Sequence, residues 1–494
     1  MTSAGLLEQL GSPGGLAGLE VLWFFLMAGW ILQERRPPVT TLAWILGLTL
    51  LPVVGVPVYL FFGPHRLKRR LLRRAAARHD LSGKPEAWEA LEAEAPLPTR
   101  QLLQLARTLT GVPAETATSV TLYDDGDQTI DAIVEAIAAA RDHVHLEYYI
   151  FSPDLAGTRV RDALVERARA GVTVRLLVDA SGSSHLKPRF LAPLLEAGGR
   201  VARFNPAFGG KASARFFNFR THRKIVVCDG LTAFTGGVNI TDSHSSRASG
   251  QAAWRDTHLR LTGNAVHGLQ LAFLEDWLFS RPGEPAPESD VLRARYFPEA
   301  ERGIHLVQIV ASGPDEPGPR QSRLEETGHA VEALYFAAIA GARRRIWLTT
   351  PYLLPSEPMA AALECAALRG VDVRLLVPAR TDSRLVDAAS RTFHGGLLAA
   401  GAAIHLYGPP MVHAKTCVVD DDLAIVGTAN IDNRSLRLNF EVVAAVHGGP
   451  AVAQLAAFFQ GDLERARPSA RGDRRERFPR RLFSSLARLL TPQL

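Results

Sequence analysis

One short pattern occurs twice in this chain and limits what it can fold into. Residues 221–229 read Thr-His-Arg-Lys-Ile-Val-Val-Cys-Asp, and residues 412–420 read Val-His-Ala-Lys-Thr-Cys-Val-Val-Asp. Both fit His-x-Lys-x4-Asp. Both continue at the same spacing to a glycine turn ending in asparagine, Gly236-Gly237-Val238-Asn239 and Gly427-Thr428-Ala429-Asn430. In each copy an apolar run long enough for one strand separates the polar residues, so the pattern predicts two equivalent strand-turn units.

The flanking sequence repeats as well. Residues 140–150 match 342–352, residues 170–178 match 369–377, and residues 194–198 match 397–401. The register slips by about a dozen residues ahead of the first motif, where residues 205–220 form an extra loop. Each half reads as short Val/Leu/Ile strands alternating with helical patterns, which is the signature of a sheet covered on both faces. The expectation is an α/β fold of two duplicated domains, 119–290 and 300–468, related by a pseudo-twofold axis with the motifs at the seam. A chain of 494 residues has room for both and for additional segments.

Those additional segments lie at the ends. Residues 16–32 form an apolar run marred by Glu20, Arg35-Arg36 interrupts it, and residues 41–62 form a second, uncharged run containing Pro52 and Pro57. Two apolar runs of this length predict a transmembrane hairpin over 1–64. The cluster His65-Arg66-Leu67-Lys68-Arg69-Arg70-Leu71-Leu72-Arg73-Arg74 begins a basic juxtamembrane segment and helical connector, 65–118. By the positive-inside rule it puts the duplicated halves on the cytoplasmic side, in a multi-pass protein of the cell (inner) membrane, and it favours an anionic membrane surface. At the other end, residues 469–494 read as a basic amphipathic tail, with Leu482, Phe483, Leu486, Leu489 and Leu490 on one helical face.

Composition sharpens the motif. Of 56 basic residues only six are lysine, at 68, 84, 187, 211, 224 and 415, and two of the six occupy the same motif position. A chain that otherwise uses arginine spends lysine where a compact ammonium is needed. The net charge of +6 suits nucleic acid, anionic membrane and phosphorylated substrates alike. Cys228, Cys365 and Cys417 make neither a disulfide framework nor a Cys-x-x-Cys zinc site.

On a strand, side chains alternate faces. His222 and Lys224 then share one face while Asp229 opposes them; His413 and Lys415 share one face while Asp420 opposes them. The histidine–lysine pairs are the reactive groups, and the aspartates are better placed to brace the strand end. The carboxylate that orients each histidine then comes from elsewhere; Asp256 and Glu441, each opening the next strand of its half, are the candidates. Ammonium groups, together with Asn239 and Asn430, suit the non-bridging oxygens of a phosphodiester. One histidine can attack phosphorus while the other protonates the departing alcohol. The competing chemistry, a cation held by the two His and two Asp, is opposed by a lysine beside each histidine, so no metal and no cofactor are expected. The candidate catalytic set is His222, Lys224, Asp229, His413, Lys415 and Asp420, with Asn239, Asn430, Asp256 and Glu441 binding phosphate or supporting.

The doubled motif resembles the signature of the phospholipase D superfamily over about 119–468. Further stretches narrow the resemblance to bacterial cardiolipin synthases and extend it over essentially the whole chain. They are Tyr148-Tyr149-Ile150-Phe151, Trp254-Arg255-Asp256-Thr257-His258, Ser312-Gly313-Pro314-Asp315 and residues 433–441, together with the two N-terminal runs. The resemblance implies one centre built from both half-motifs, a phosphohistidine intermediate, no metal, His222 as nucleophile and His413 as acid/base. It implies that two phosphatidylglycerols are joined to give cardiolipin and glycerol, with no nucleic-acid partner. Residues 180–183 and the polar loop 241–251 depart from the family's forms and bear on acceptor choice. The alternatives are a phospholipase D-type hydrolase or headgroup-exchange enzyme, a nucleic-acid phosphodiesterase, and a non-enzymatic membrane scaffold. Oligomeric state has no signal in the sequence.

Overall fold

The computed structural model describes residues 13–33, 38–62, 85–204, 218–281, 295–314, 329–469 and 478–491. The Arg35-Arg36 pair, the basic cluster at 65–74 and most of the 205–220 loop lie outside them. The described residues fall into two compact units, one holding residues 13–33 and 38–62 and the other holding the segments from 85 onward.

In the first unit the apolar N-terminal residues form three helices, Pro13–Leu32, Pro38–Leu50 and Pro52–Phe62. For the second apolar run, prolines that bend a helix without excluding it predict one kinked helix. It is two, because Pro52 has no N–H to continue the ladder and starts a new helix after Leu51. Gly55 lets this bend close: a Cβ there would lie 2.8 Å from the Gly47 carbonyl oxygen. The helices pack through Ile31, Ile45, Leu48 and Tyr59, and Trp23 Nε1 donates to Leu48 O at 2.9 Å. Leu22, Phe25, Leu50 and Val53 face outward. No helix among the described residues is long and apolar enough to cross a membrane.

The second unit holds two related sheets. The seven-stranded sheet runs, in spatial order, Ser119–Tyr123, His258–Thr262, Thr232–Gly236, Lys224–Cys228, His143–Tyr148, Thr173–Asp179, Arg200–Phe204. The nine-stranded sheet repeats that order as His305–Ser312, Glu441–His447, Leu423–Gly427, Thr416–Val419, Arg345–Thr349, Asp372–Pro378, Ala403–Tyr407. It gains an edge strand at each side, Glu115–Ala117 and Ala466–Pro468. In both sheets the last three strands of the series are parallel and joined by helices, and the others are antiparallel. The motif strands occupy the centre and are buried along their length.

The segment before the first sheet does more than connect. Its helix Leu97–Thr110 buries Ala106 in the core of the second half, and Glu115–Ala117 pairs antiparallel with His305–Ser312. Helix Val266–Ser280 packs on strands of the first sheet and on His305–Ser312 of the second. Pro450–Glu464 does the reciprocal, packing on its own sheet and on Ser119–Tyr123.

The motif aspartates terminate their strands. Asp229 and Asp420 both adopt left-handed backbone, φ 53° and 51°. Asp229 accepts backbone N–H groups of Arg141, Asp142 and His143 at 2.8–2.9 Å. Asp420 accepts those of Arg343, Arg344 and Arg345 at 2.7–3.0 Å. Each carboxylate thus ties the end of the motif strand to the start of its neighbour, and those bonds offset the strained backbone. Asp229→Ala and Asp420→Ala should each destabilise the fold by about 1–3 kcal/mol through lost acceptors. Thermal melting should record the loss, with activity well below the melting temperature falling far less than in His222→Ala.

Candidate active site

The two motifs meet at the seam through backbone. His222 N–H donates to Phe440 O at 2.9 Å, and Phe440 N–H donates to Arg220 O at 2.8 Å. In mirror fashion Arg255 N–H donates to Met411 O at 3.0 Å, and His413 N–H donates to Arg255 O at 2.7 Å. Each motif is therefore laced to the segment that carries the other half's carboxylate.

The side chains follow that lacing. His222 Nδ1 lies 3.0 and 3.1 Å from the two carboxylate oxygens of Glu441, and His413 Nδ1 lies 2.6 Å from Asp256 Oδ2. The orienting carboxylates cross over: Glu441 of the second half serves the first histidine, and Asp256 of the first half serves the second. With Nδ1–H donated to a carboxylate, each imidazole carries its lone pair on Nε2. Glu441 is completely engaged. Thr428 Oγ1 donates to it at 2.5 Å and Asn439 Nδ2 at 3.3 Å. Burial opposes its ionisation, but the His222 and Lys224 charges and the bonds from His222 and Thr428 outweigh burial and hold it below the usual carboxylate range.

Lys224 and Lys415 are both fully buried beside the histidines. Each donates to the carbonyl of its own motif histidine, Lys224 at 2.8 Å. Burial, and then the charge of Lys415, pull Lys224 down to about 7. Burial pulls Lys415 down to about 8 against the pull of Asp256 and Glu441. Burial likewise lowers both histidines. Glu441 partly offsets this at His222, whereas the Lys415, Lys224 and His222 charges deepen it at His413. The two buried ammonium groups disfavour each other's charge, so an anion placed between them favours both.

The remaining candidates fall into two groups. Asn239 Oδ1 accepts the Ile150 N–H at 3.3 Å, and Asn430 Nδ2 donates to Asp432 at 3.0 Å, so both amides are fixed beside the motifs. Asp229 and Asp420 do not join the cluster; they are the strand braces described above. A cation could be held by His244, Asp256 and His413, whose ligand atoms lie within 4.8 Å of one another. Lys415 Nζ sits 3.0 Å from His413 Nδ1 and competes for that place.

Sequence reasoning missed a buried network behind His222. Arg223 is fully buried on the opposite face of the motif. It donates to Asp276 at 2.5 Å, to Glu441 O at 3.2 Å and to Ser312 O at 3.2 Å. Thr221 Oγ1 donates to Glu147 at 2.5 Å, and burial pushes Glu147 well above the usual carboxylate range. Ala414 takes the place of Arg223 in the second motif, so only the first motif has this network behind it. The available signal was the acidic pair Glu275-Asp276 inside the largely apolar helix Val266–Ser280. At the rim, the Tyr149 ring stands edge-on to His222 at 5.0 Å and Trp254 lies 5.2 Å from His413.

Comparison with known proteins agrees with this geometry. The family described as cardiolipin synthase, PLD-like domain, matches residues 133–253 and 335–463, and the phospholipase D-nuclease N-terminal family matches residues 21–64. Cardiolipin synthase 1 of Bacillus anthracis is 37% identical over 486 residues, covering 96% of this chain and 93% of that protein. Cardiolipin synthase of Geobacillus sp. (strain WCH70) is 37% identical over 490 residues, covering 97% and 94%. The crystal structure of phosphatidylserine synthase from Haemophilus influenzae Rd KW20 covers 80% of this chain and all of that one. Its TM-score is 0.57 at 14% identity, a likeness of fold alone. The chain belongs to the cardiolipin synthase family of phospholipase D-like proteins.

The lysines set a pH dependence. Both are cationic below about 7 and neutral above about 8. Affinity for a phosphate-like anion such as tungstate should be highest below 7 and fall as pH rises through 8, measured by calorimetry. Lys224→Met should weaken it at low pH and flatten the dependence.

Proposed function

We propose that this protein is a phosphatidyltransferase that makes cardiolipin from two phosphatidylglycerols through a histidine-bound intermediate. The crossed histidine–carboxylate pairs carry this reading, because they leave two imidazole Nε2 atoms, equivalent in construction, beside two buried lysines. The phosphodiester of the first lipid binds between His222, Lys224, His413 and Lys415. Nε2 of His222 attacks phosphorus, the bond from phosphorus to the glycerol oxygen breaks, and protonated His413 gives its Nε2 proton to that oxygen. Glycerol leaves. The terminal hydroxyl of the second phosphatidylglycerol then attacks phosphorus while neutral His413 takes the proton, and the P–N bond breaks to free cardiolipin. The lysines hold the non-bridging oxygens, Glu441 supports the imidazole that becomes phosphorylated, and Asp256 supports the one that shuttles the proton. The catalytic halves are 119–290 and 300–468.

The lipid setting belongs to the same proposal. The N-terminal helices form a hairpin seated in the cell membrane. Val53 at 85% exposed, Leu50 at 73% and Phe25 at 66% support this, since water is a poor neighbour for so much apolar surface. The juxtamembrane arginines put the catalytic halves on the cytoplasmic side. The C-terminal helix Phe478–Leu489 supplies a second apolar surface. It buries Ala487 against Val386 and Ala389 of helix Arg384–Ala400 and exposes Leu482, Phe483, Leu486 and Leu489. That face suits the acyl boundary of an anionic bilayer.

Purified protein incubated with phosphatidylglycerol liposomes should yield cardiolipin and glycerol in equal amounts. His222→Ala and His413→Ala should yield none. Glu441→Gln should lower the rate by roughly 10³-fold or more with the fold intact. Phosphatidic acid as the sole product would contradict the transferase reading. Leu482→Ser with Phe483→Ser should reduce sedimentation of the catalytic unit with anionic vesicles.

A further inference from the structure

A third histidine stands at the seam. His244 ends the short turn Asp242–His244 and is 2% exposed. Its Nδ1 lies 3.5 Å from Asp256 Oδ2, the oxygen that also takes the His413 Nδ1–H. The two imidazoles stand edge to face at 5.3 Å, and Trp254 packs on both. Neither ring nitrogen of His244 has a hydrogen-bond partner among the described residues. A buried imidazole in that condition costs free energy unless something completes it.

The loop does not bring it there loosely. Asp242 accepts the Ala156 N–H at 2.9 Å, and Trp254 N–H donates to Ser243 O at 2.8 Å. Asp127 accepts Ser245 Oγ at 2.5 Å, Ser246 Oγ at 2.7 Å and Arg247 N–H at 3.0 Å.

We propose that His244 is a positioning residue for the second half-site. It shares Asp256 with His413 and, through that carboxylate, sets how tightly His413 holds its proton. The two orienting carboxylates differ in this respect. Glu441 is saturated by Thr428, Asn439 and His222. Asp256 Oδ1 is fixed by the Thr257 N–H at 2.7 Å, but Oδ2 faces two imidazoles and holds one closely. A rigid carboxylate suits the histidine that carries the phosphatidyl group. One with an adjustable second donor suits the histidine that gives and takes a proton. When His413 is imidazolium it claims Oδ2. When it is neutral its claim weakens, and His244 Nδ1–H, a few tenths of an ångström short of bonding distance, completes the carboxylate. That exchange stabilises neutral His413 and lowers its proton affinity. The charged and titratable groups facing His244 are Asp256, His413, Lys415 and Lys224. Burial holds His244 down to about 3, so it acts as a neutral donor throughout.

The inference rests on the transferase reading, and the pH dependence of kcat/KM for cardiolipin formation tests it. The proteins compared are the wild type, His244→Asn, which keeps a side-chain N–H donor, and His244→Phe, which keeps the ring without one. Loss of the donor leaves Asp256 freer to stabilise imidazolium, so the alkaline limb should move up by about half a pH unit in His244→Phe. It should stay near the wild-type position in His244→Asn. Lys224 and Lys415 titrate on the same limb and also feel Asp256, so the shift is assigned to His413 by following its ring ¹⁵N resonances through the same pH range. His244→Leu, which also lacks a donor, replaces the phenylalanine variant if that one does not fold. Superimposable limbs, or equal shifts in the donor and non-donor variants, would overturn the proposal. A wild type that forms no cardiolipin would instead overturn the transferase reading.

Discussion

The site depends on one interaction made twice, the hydrogen bond from an imidazole Nδ1 to a carboxylate of the opposite half. Glu441 fixes His222 and Asp256 fixes His413. Without that crossing, each half would hold a buried histidine beside a buried lysine, with no counter-charge to set the tautomer. With it, neither half is complete alone. The backbone lacing at Thr221–Phe440 and Arg255–Val412 then becomes part of the chemistry, because it fixes where each carboxylate stops.

Burial supplies the second half of the design. Two fully buried lysines, their ammonium forms disfavoured by burial, are expensive to hold and become useful when a phosphodiester lies between them. Their repulsion is relieved by the anion, so part of the cost of building the site returns as substrate binding. The network of Arg223, Asp276 and Glu147 lies behind His222 alone, while His244 lies beside His413 alone. Two motifs alike in sequence thus sit in different surroundings, which is what two different tasks require.

Much of this was legible in the residues. Strand alternation separated the histidine–lysine pairs from Asp229 and Asp420, and the aspartates do brace the strand ends. Asp256 and Glu441 were legible as carboxylates opening the next strands. Their exchange between halves was not, because it is set by contacts between segments some two hundred positions apart. Arg223 looked like a variable motif position, and only the packing of helix Val266–Ser280 against the sheet shows it paired with Asp276. The segment before the first domain read as a connector, although its helix and edge strand complete the second half. Local pattern cannot say which of two similar sheets an edge strand joins. The second apolar run carried the signal of its break in Pro52, but a proline can kink a helix or end it, and local pattern does not say which.

A single centre built from both half-motifs, in which His222 receives the phosphatidyl group, has a chemical signature. It is tested most directly by quenching the enzyme in alkali during turnover of phosphatidylglycerol labelled with ³²P, conditions under which a phosphohistidine survives. Label should appear on His222 in the wild type and be absent from His222→Asn. Label persisting in His222→Asn, or found on any other residue, would contradict it.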